Sequence, residues 1–209
     1  MNHTVGLKLK ALAEKSKEKI VLKIHFENTK SDRVNVTFYL QASTHAMNLV
    51  NRMSYHVVES FYPFYQKISK YINLDVVYDL KTCPYCSEAD CYYEKQFCST
   101  DYEHGSSANG RMILDQQLRE KVMFSKHLDK WWEYMDCITD ECSVVTELEQ
   151  CSQVCEAKVG QKDFKAEVAD SHGTGTNKHF QDSLSQLNNS GVDSFPSVAF
   201  NSVKMTGSL

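Results

Sequence analysis

Eight cysteines, all between Cys83 and Cys155, hold the chemistry this sequence could perform. A cysteine sulfur can be a nucleophile, a metal ligand or half of a disulfide, and its surroundings decide which. Cys83-Pro84-Tyr85-Cys86 has the two-residue gap of a redox dithiol and follows an apolar run, Leu74 to Leu80. The next residues, Ser87-Glu88-Ala89-Asp90-Cys91-Tyr92-Tyr93, make a poor start for a long helix. A helix N-terminus is one of the features that lower a thiol pKa. Cys83, Cys86, Cys91 and Cys98 could together hold zinc, but they lack the usual two close pairs separated by a longer loop. Cys142, Cys151 and Cys155 have helical spacing, and with Cys137 they too read as bridge formers. The expectation is disulfides throughout, no metal site and an oxidising compartment, with about 100 possible pairings left open by spacing alone.

Other residues could serve recognition. Pro196 stands just before a short apolar run, Ser197-Val198-Ala199-Phe200, and is expected to follow a cis peptide bond. Trp131 and Trp132 could stack on a ligand or fill a core; one of an adjacent helical pair usually stays partly exposed. His45, beside Ser43 and Thr44, reads as a recognition candidate or a solvated cap residue. Glycosylation triplets begin at Asn2, Asn35 and Asn188, with Asn35 disfavoured because it falls inside a strand. There is no Gly-rich phosphate loop, Ser/His/Asp set or paired-His metal motif, and no cofactor is expected.

These residues need a scaffold, and the apolar pattern supplies one. Leu7–Lys19 reads as an amphipathic helix and Ile20–Phe26 as a strand, with a polar linker after it. In Val34–Leu40, Val34, Val36, Phe38 and Leu40 share one face of a strand. A helix is expected over about 44–71, with Met47, Val50, Met53, Val57 and Phe61 inward and a break or kink at Pro63. Leu74–Leu80 reads as the next strand, giving a parallel, right-handed βαβ unit. Lys81–Gly110 is irregular and ends in a flexible loop from His104. Helices follow over Arg111–His127, with Leu114, Leu118 and Val122 stacked, through Asp129–Cys137, over Cys142–Val159 and, more weakly, over Phe164–Leu187. A strand entered through Pro196, a turn at Asn201-Ser202 and a short strand over Val203–Gly207 close the chain.

Composition sets limits. The chain has 209 residues, 42% apolar and 24% charged, which fits a globular protein rather than a disordered one. With a net charge of −4 and no basic stripe it has no electrostatic footprint for nucleic acid. No run approaches the roughly 18 apolar residues of a membrane span. The N-terminus lacks the apolar core of a signal peptide, so the chain reads as a fragment or as a sequence missing its start.

The element order, βαβ, helices, then proline, strand, turn and strand, is that of a thioredoxin-like domain. An oxidoreductase of that kind needs Cys-x-x-Cys at the junction of first strand and helix; here the junction reads Gln41-Ala42-Ser43-Thr44-His45-Ala46. Asp129-Lys130-Trp131-Trp132-Glu133-Tyr134, with Cys137 and Cys142 after it, resembles the tryptophan-pair WWDY segment of vacuolar sorting receptors. Phe97-Cys98-Ser99-Thr100-Asp101, Gly110 and Leu114-Asp115-Gln116-Gln117-Leu118-Arg119 resemble that family's YCAPD…G…QNLRQ stretch, and Cys83-Pro84 its YCP. Phe195-Pro196-Ser197-Val198 with Asn201 and Gly207 resembles LPTLVVNN…G, and Phe38-Tyr39-Leu40-Gln41 resembles FWTN. The family's cysteines after the first strand are absent here, and Cys86 is additional.

The resemblance implies an α/β, thioredoxin-like domain over 31–209 with a helical, disulfide-rich insertion over about 81–190. It implies that 1–30 are the end of a protease-associated-like domain. It further implies a lumenal, non-catalytic segment of a type I sorting receptor that helps bind soluble cargo between Golgi and vacuole. The rival expectation is a thiol–disulfide oxidoreductase using Cys83 and Cys86; a secreted structural domain is a third.

Overall fold

The computed structural model describes residues 33–42, 49–100, 109–142, 148–161, 164–173 and 175–204. The expected helix and strand within 1–30, together with Asn2, His45 and Met47, lie outside them, as do the side chains of Val50 and Met53.

Strand β1, Val34–Leu40, pairs in parallel with β2, Ile72–Tyr78, from Val34 opposite Ile72 to Leu40 opposite Tyr78. A parallel pair cannot be joined by a tight turn, and helix α1, Leu49–Ile68, makes the crossover. On its other edge β1 pairs antiparallel with β5, Ser197–Phe200, which forms a hairpin with β6, Val203–Lys204. The sheet order is β2-β1-β5-β6, a mixed sheet. Between β2 and β5 the described residues form a small ribbon and five α-helices. The ribbon joins β3, Cys91–Tyr92, to β4, Phe97–Cys98. The helices are α2, Gly110–Lys126; α3, Leu128–Glu141; α4, Leu148–Lys158; α5, Phe164–Ser171; and α6, Lys178–Ser190.

Period-two alternation sends Val36, Phe38 and Leu40 into the main core, while Tyr39 joins Val77 and Ala199 on the opposite face. Val34, expected to share the buried face, is exposed at the strand's start. Leu114, Leu118 and Val122 of α2 are fully buried against the sheet's main-core side. A carboxylate–ammonium pair ties α2 to β2. Lys121 Nζ lies 2.8 Å from Asp75 Oδ1 and donates to the Val76 carbonyl, while Gln186 of α6 donates to Asp75 Oδ2 at 2.9 Å. Burial pushes the Asp75 carboxyl up, but the Lys121 charge and the hydrogen bonds from Lys121, Gln186 and the Val76 N–H outweigh it and hold it below its ordinary value.

Four boundaries differ from the sequence reading. Pro63 lies inside α1, which continues to Ile68. Pro63 and Glu59 are both exposed, so the carbonyl that loses its donor is on the solvent side. Strand β2 starts and ends two residues early, because Ile72 and Asn73 pair with Val34 and Asn35. Cys142, expected to open the next helix, instead caps the end of α3, its N–H donating to the Ile138 carbonyl at 3.1 Å. Gly110, expected to close a flexible loop, instead opens α2. A Cβ there would lie 2.0 Å from the Ser99 carbonyl oxygen, and its N–H donates to Asp90 Oδ1 at 2.9 Å.

Candidate functional site

In open α/β sheets ligands bind beyond the carboxyl ends of the parallel strands. Here that place is formed by Leu40-Gln41-Ala42 after β1 and Asp79-Leu80-Lys81 after β2. Residues 43–48 lie outside the described part, and none of them is a cysteine. The two strand ends are tied by the Asp79 N–H donating to the Leu40 carbonyl at 2.9 Å. Gln41 Nε2 donates to Asp79 Oδ2 at 3.3 Å, and the Gln41 N–H donates to the buried Ser54 hydroxyl of α1 at 3.2 Å. From α2, Gln117 Nε2 donates to the Asp79 carbonyl at 2.7 Å. Burial raises the Asp79 carboxyl above its ordinary value, against the hydrogen bond from Gln41 and the charge of Lys81. Sequence marks the Gln41 side of this junction but not Asp79 or Gln117. Its only signal was the absence of a thiol.

The Phe195–Pro196 peptide bond is cis. Because Ser197 stands opposite Tyr39, Pro196 comes next in register opposite Leu40, at the same junction. The cluster of Gln41, Asp79, Gln117 and the Pro196 turn can donate and accept hydrogen bonds. Its described residues include no sulfur, hydroxyl–imidazole pair or other nucleophile with an adjacent base.

None of the eight cysteines is among those junction residues; all are paired in four bridges: Cys83–Cys86, Cys91–Cys98, Cys137–Cys155 and Cys142–Cys151. The last two form a nested ladder, as an antiparallel pair of helices requires, and staple α3 to α4. The Sγ atoms of Cys86, Cys91 and Cys98 lie within 4.8 Å of one another, as do those of Cys142, Cys151 and Cys155. All six are bridged, so none is the thiolate that zinc binds. The Cys83–Cys86 turn stands out from the surface, with Tyr85 99% exposed. It leads into a single 3₁₀ turn, Glu88–Asp90, rather than an α-helix.

Trp131 and Trp132 are both buried, which corrects the expectation that one of the pair stays open to a ligand. Trp132 is covered by Tyr62, stacked at 5.0 Å between centroids, and by Tyr65 at 4.8 Å, both from α1, while Phe124 of α2 meets Trp131 edge-on at 5.2 Å. Helix α3 is sandwiched, so adjacent positions face two different layers. Behind it lies a polar cluster that sequence did not disclose. Gln116 Nε2 donates to Glu120 Oε1 at 2.8 Å and to the Tyr134 hydroxyl at 3.3 Å, and the Ser152 hydroxyl donates to Gln116 Oε1 at 2.5 Å. Beside it Arg119 Nη1 meets Glu156 Oε1 at 2.5 Å, both side chains nearly inaccessible. Asn188 is exposed on the last turn of α6, beside a shallow groove shared with Thr82, Gln96 and Phe97.

The protein is, by class, a mixed α/β protein with four disulfides. No protein-family model matches the chain, and no curated protein matches it. Among the described residues, no helix is long and apolar enough to cross a membrane.

Proposed function

We propose that the chain is a thioredoxin-like, non-catalytic lumenal segment of a vacuolar or lysosomal sorting receptor that contributes to recognition of soluble cargo proteins. The strand order β2-β1-β5-β6, with one parallel pair and a closing hairpin, supports the thioredoxin-like part. The helices and bridges between β2 and β5 are then an insertion. The resemblance to the sorting receptors, in order from about Asp32 to Gly207, supports the receptor part. Under this reading Asn188 carries a glycan, the parent protein is membrane-anchored, and transport runs from the Golgi to the prevacuolar compartment. Four bridges fit the oxidising lumen this requires.

One observation carries the non-catalytic reading. The strand–helix junction, Gln41 to Asn48, contains no cysteine, while every cysteine of the chain is bridged elsewhere. The junction keeps hydrogen-bonding groups, suited to an extended peptide laid beside the sheet end. The test is fluorescence anisotropy of the chain with synthetic sorting peptides of soluble vacuolar proteins. Saturable binding to a sorting peptide and none to its scrambled form is expected; binding to neither would overturn the recognition role.

A second reading, a thiol–disulfide oxidoreductase using Cys83 and Cys86, has the exposure of that turn in its favour. Against it, no α-helix starts there to stabilise a thiolate.

A further inference from the structure

The two bridges nearest the sheet end differ in access. Cys91 and Cys98, cross-strand partners in the ribbon, are 1% and 0% exposed. The Lys81 N–H donates to the Cys98 carbonyl at 3.0 Å and the Cys98 N–H to the Lys81 carbonyl at 2.8 Å, which closes the ribbon's outer side. Cys83 and Cys86 are both partly exposed, on a turn whose neighbours Thr82, Pro84, Tyr85 and Ser87 are open to solvent. Each of the other three bridges has at least one buried end. Yet Cys86 Sγ lies within 4.8 Å of the Sγ atoms of both Cys91 and Cys98, and Cys98 Sγ is 3.8 Å from the Cys83 carbonyl oxygen. The exposed bridge therefore sits directly against the buried one.

We propose that the Cys83–Cys86 bridge is the entry of an intramolecular thiol–disulfide exchange that ends at Cys91–Cys98, with Cys86 as carrier and an external dithiol as reductant. A thiolate of the dithiol attacks Cys83 Sγ; the Cys83–Cys86 bond breaks and Cys86 leaves as thiolate. The second thiol of the reductant resolves the mixed disulfide, leaving Cys83 as a thiol and the reductant as a disulfide. Cys86 then attacks Cys98 or Cys91; a new bond forms to that sulfur, the Cys91–Cys98 bond breaks, and the released sulfur takes a proton. Finally Cys83 attacks Cys86, re-forms the first bridge and releases the second buried sulfur as a thiol. Two electrons and two protons pass from the dithiol to the buried pair. The carrier needs to move only about 1–2 Å to reach attack distance.

The consequence is local. The Cys91–Cys98 bridge holds the ribbon beside Asp90, whose carbonyl accepts from Ser99 N–H at 3.1 Å and whose Oδ1 accepts from the Gly110 N–H that opens α2. Opening it loosens the start of α2. The device stands apart from the cargo-recognition reading, since it needs no cargo and gives no turnover on other proteins.

The test is a time course of the folded chain with dithiothreitol, quenched in acid, alkylated and mapped by mass spectrometry. Wild type is expected to show a transient Cys86–Cys98 or Cys86–Cys91 species. It is also expected to lose the Cys91–Cys98 bridge at least about tenfold faster than the Cys83→Ser/Cys86→Ser variant. Equal rates, or no such species in wild type, would overturn it; should the double variant not fold, the wild-type species decides. In Cys83→Ser, whose Cys86 has lost its partner, label on Cys91 or Cys98 supports the route, and label on Cys86 alone refutes it.

Discussion

Replacing Arg119 by Met should expose how much of the helical layer depends on one buried charge pair. The guanidinium meets Glu156 at 2.5 Å with side-chain exposures of 8% and 4%, and its other carboxylate, Glu149 at 3.6 Å, is in solvent. Removing the cation leaves the Glu156 carboxylate buried without its partner, a change that costs about 3–5 kcal/mol. For a domain of this size that corresponds to a fall in melting temperature of about 6–20 °C. The pH dependence has a definite sign. Burial already raises the Glu156 carboxyl, Arg119 opposes this and Glu149 adds to it, so losing Arg119 raises it further. A group raised in the folded state binds a proton that the unfolded chain gives up. Stability is then fully present below the unfolded carboxyl range and is lost as pH rises through the folded value. The penalty in Arg119→Met should therefore be smallest near pH 4 and grow toward pH 7. Urea unfolding at both pH values, with disulfides intact, measures it, and adding Glu156→Leu should restore most of the loss. A penalty under about 1 kcal/mol, or one that does not change between the two pH values, would refute the reasoning.

Lys121→Met should cost about 1–3 kcal/mol by leaving Asp75 and the Val76 carbonyl short of a partner. Here too the penalty should fade in acid, for a different reason: Asp75 is held low by Lys121, so its share of the difference from wild type should be present at pH 7 and be lost as acid titrates the carboxylate, measured by the same urea series. Gly110→Ala should destabilise by about 1–3 kcal/mol or more, because its methyl meets the Ser99 carbonyl oxygen and not a movable side chain. Thermal melting with an unchanged midpoint would contradict that. Removing the Cys137–Cys155 bridge with paired serines, which opens a sequence separation of 18 residues, should cost about 3 kcal/mol in guanidinium unfolding.

Much of the scaffold was legible because it rests on period. Strand β1 runs over the residues its alternation marked, and Leu114, Leu118 and Val122 are buried as their spacing indicated. Strand β2 was displaced because Asn73 is a poor strand former. Its place is fixed by tertiary pairing, with Asn73 Nδ2 donating to Asn35 Oδ1 at 3.0 Å. Pro63, where a break or kink is expected, does not end α1, and sequence does not say which side of a helix faces water. The partners of Cys137 and Cys142 were beyond reach, since they depend on the antiparallel arrangement of α3 and α4. Gln116, Arg119, Glu120 and Glu156 carry the polarity of a solvated face, yet they are buried because they satisfy one another across α2, α3 and α4. The candidate site itself was half legible: the missing thiol could be read, but the Gln41–Asp79–Gln117 contacts exist only once three elements meet.

Turnover in insulin reduction tests the central claim most directly. With dithiothreitol as electron donor, the chain should accelerate insulin reduction no more than an equal amount of its Cys83→Ser/Cys86→Ser variant does. Repeated, cysteine-dependent turnover by wild type, lost in that variant, would contradict the account and make the protein an oxidoreductase.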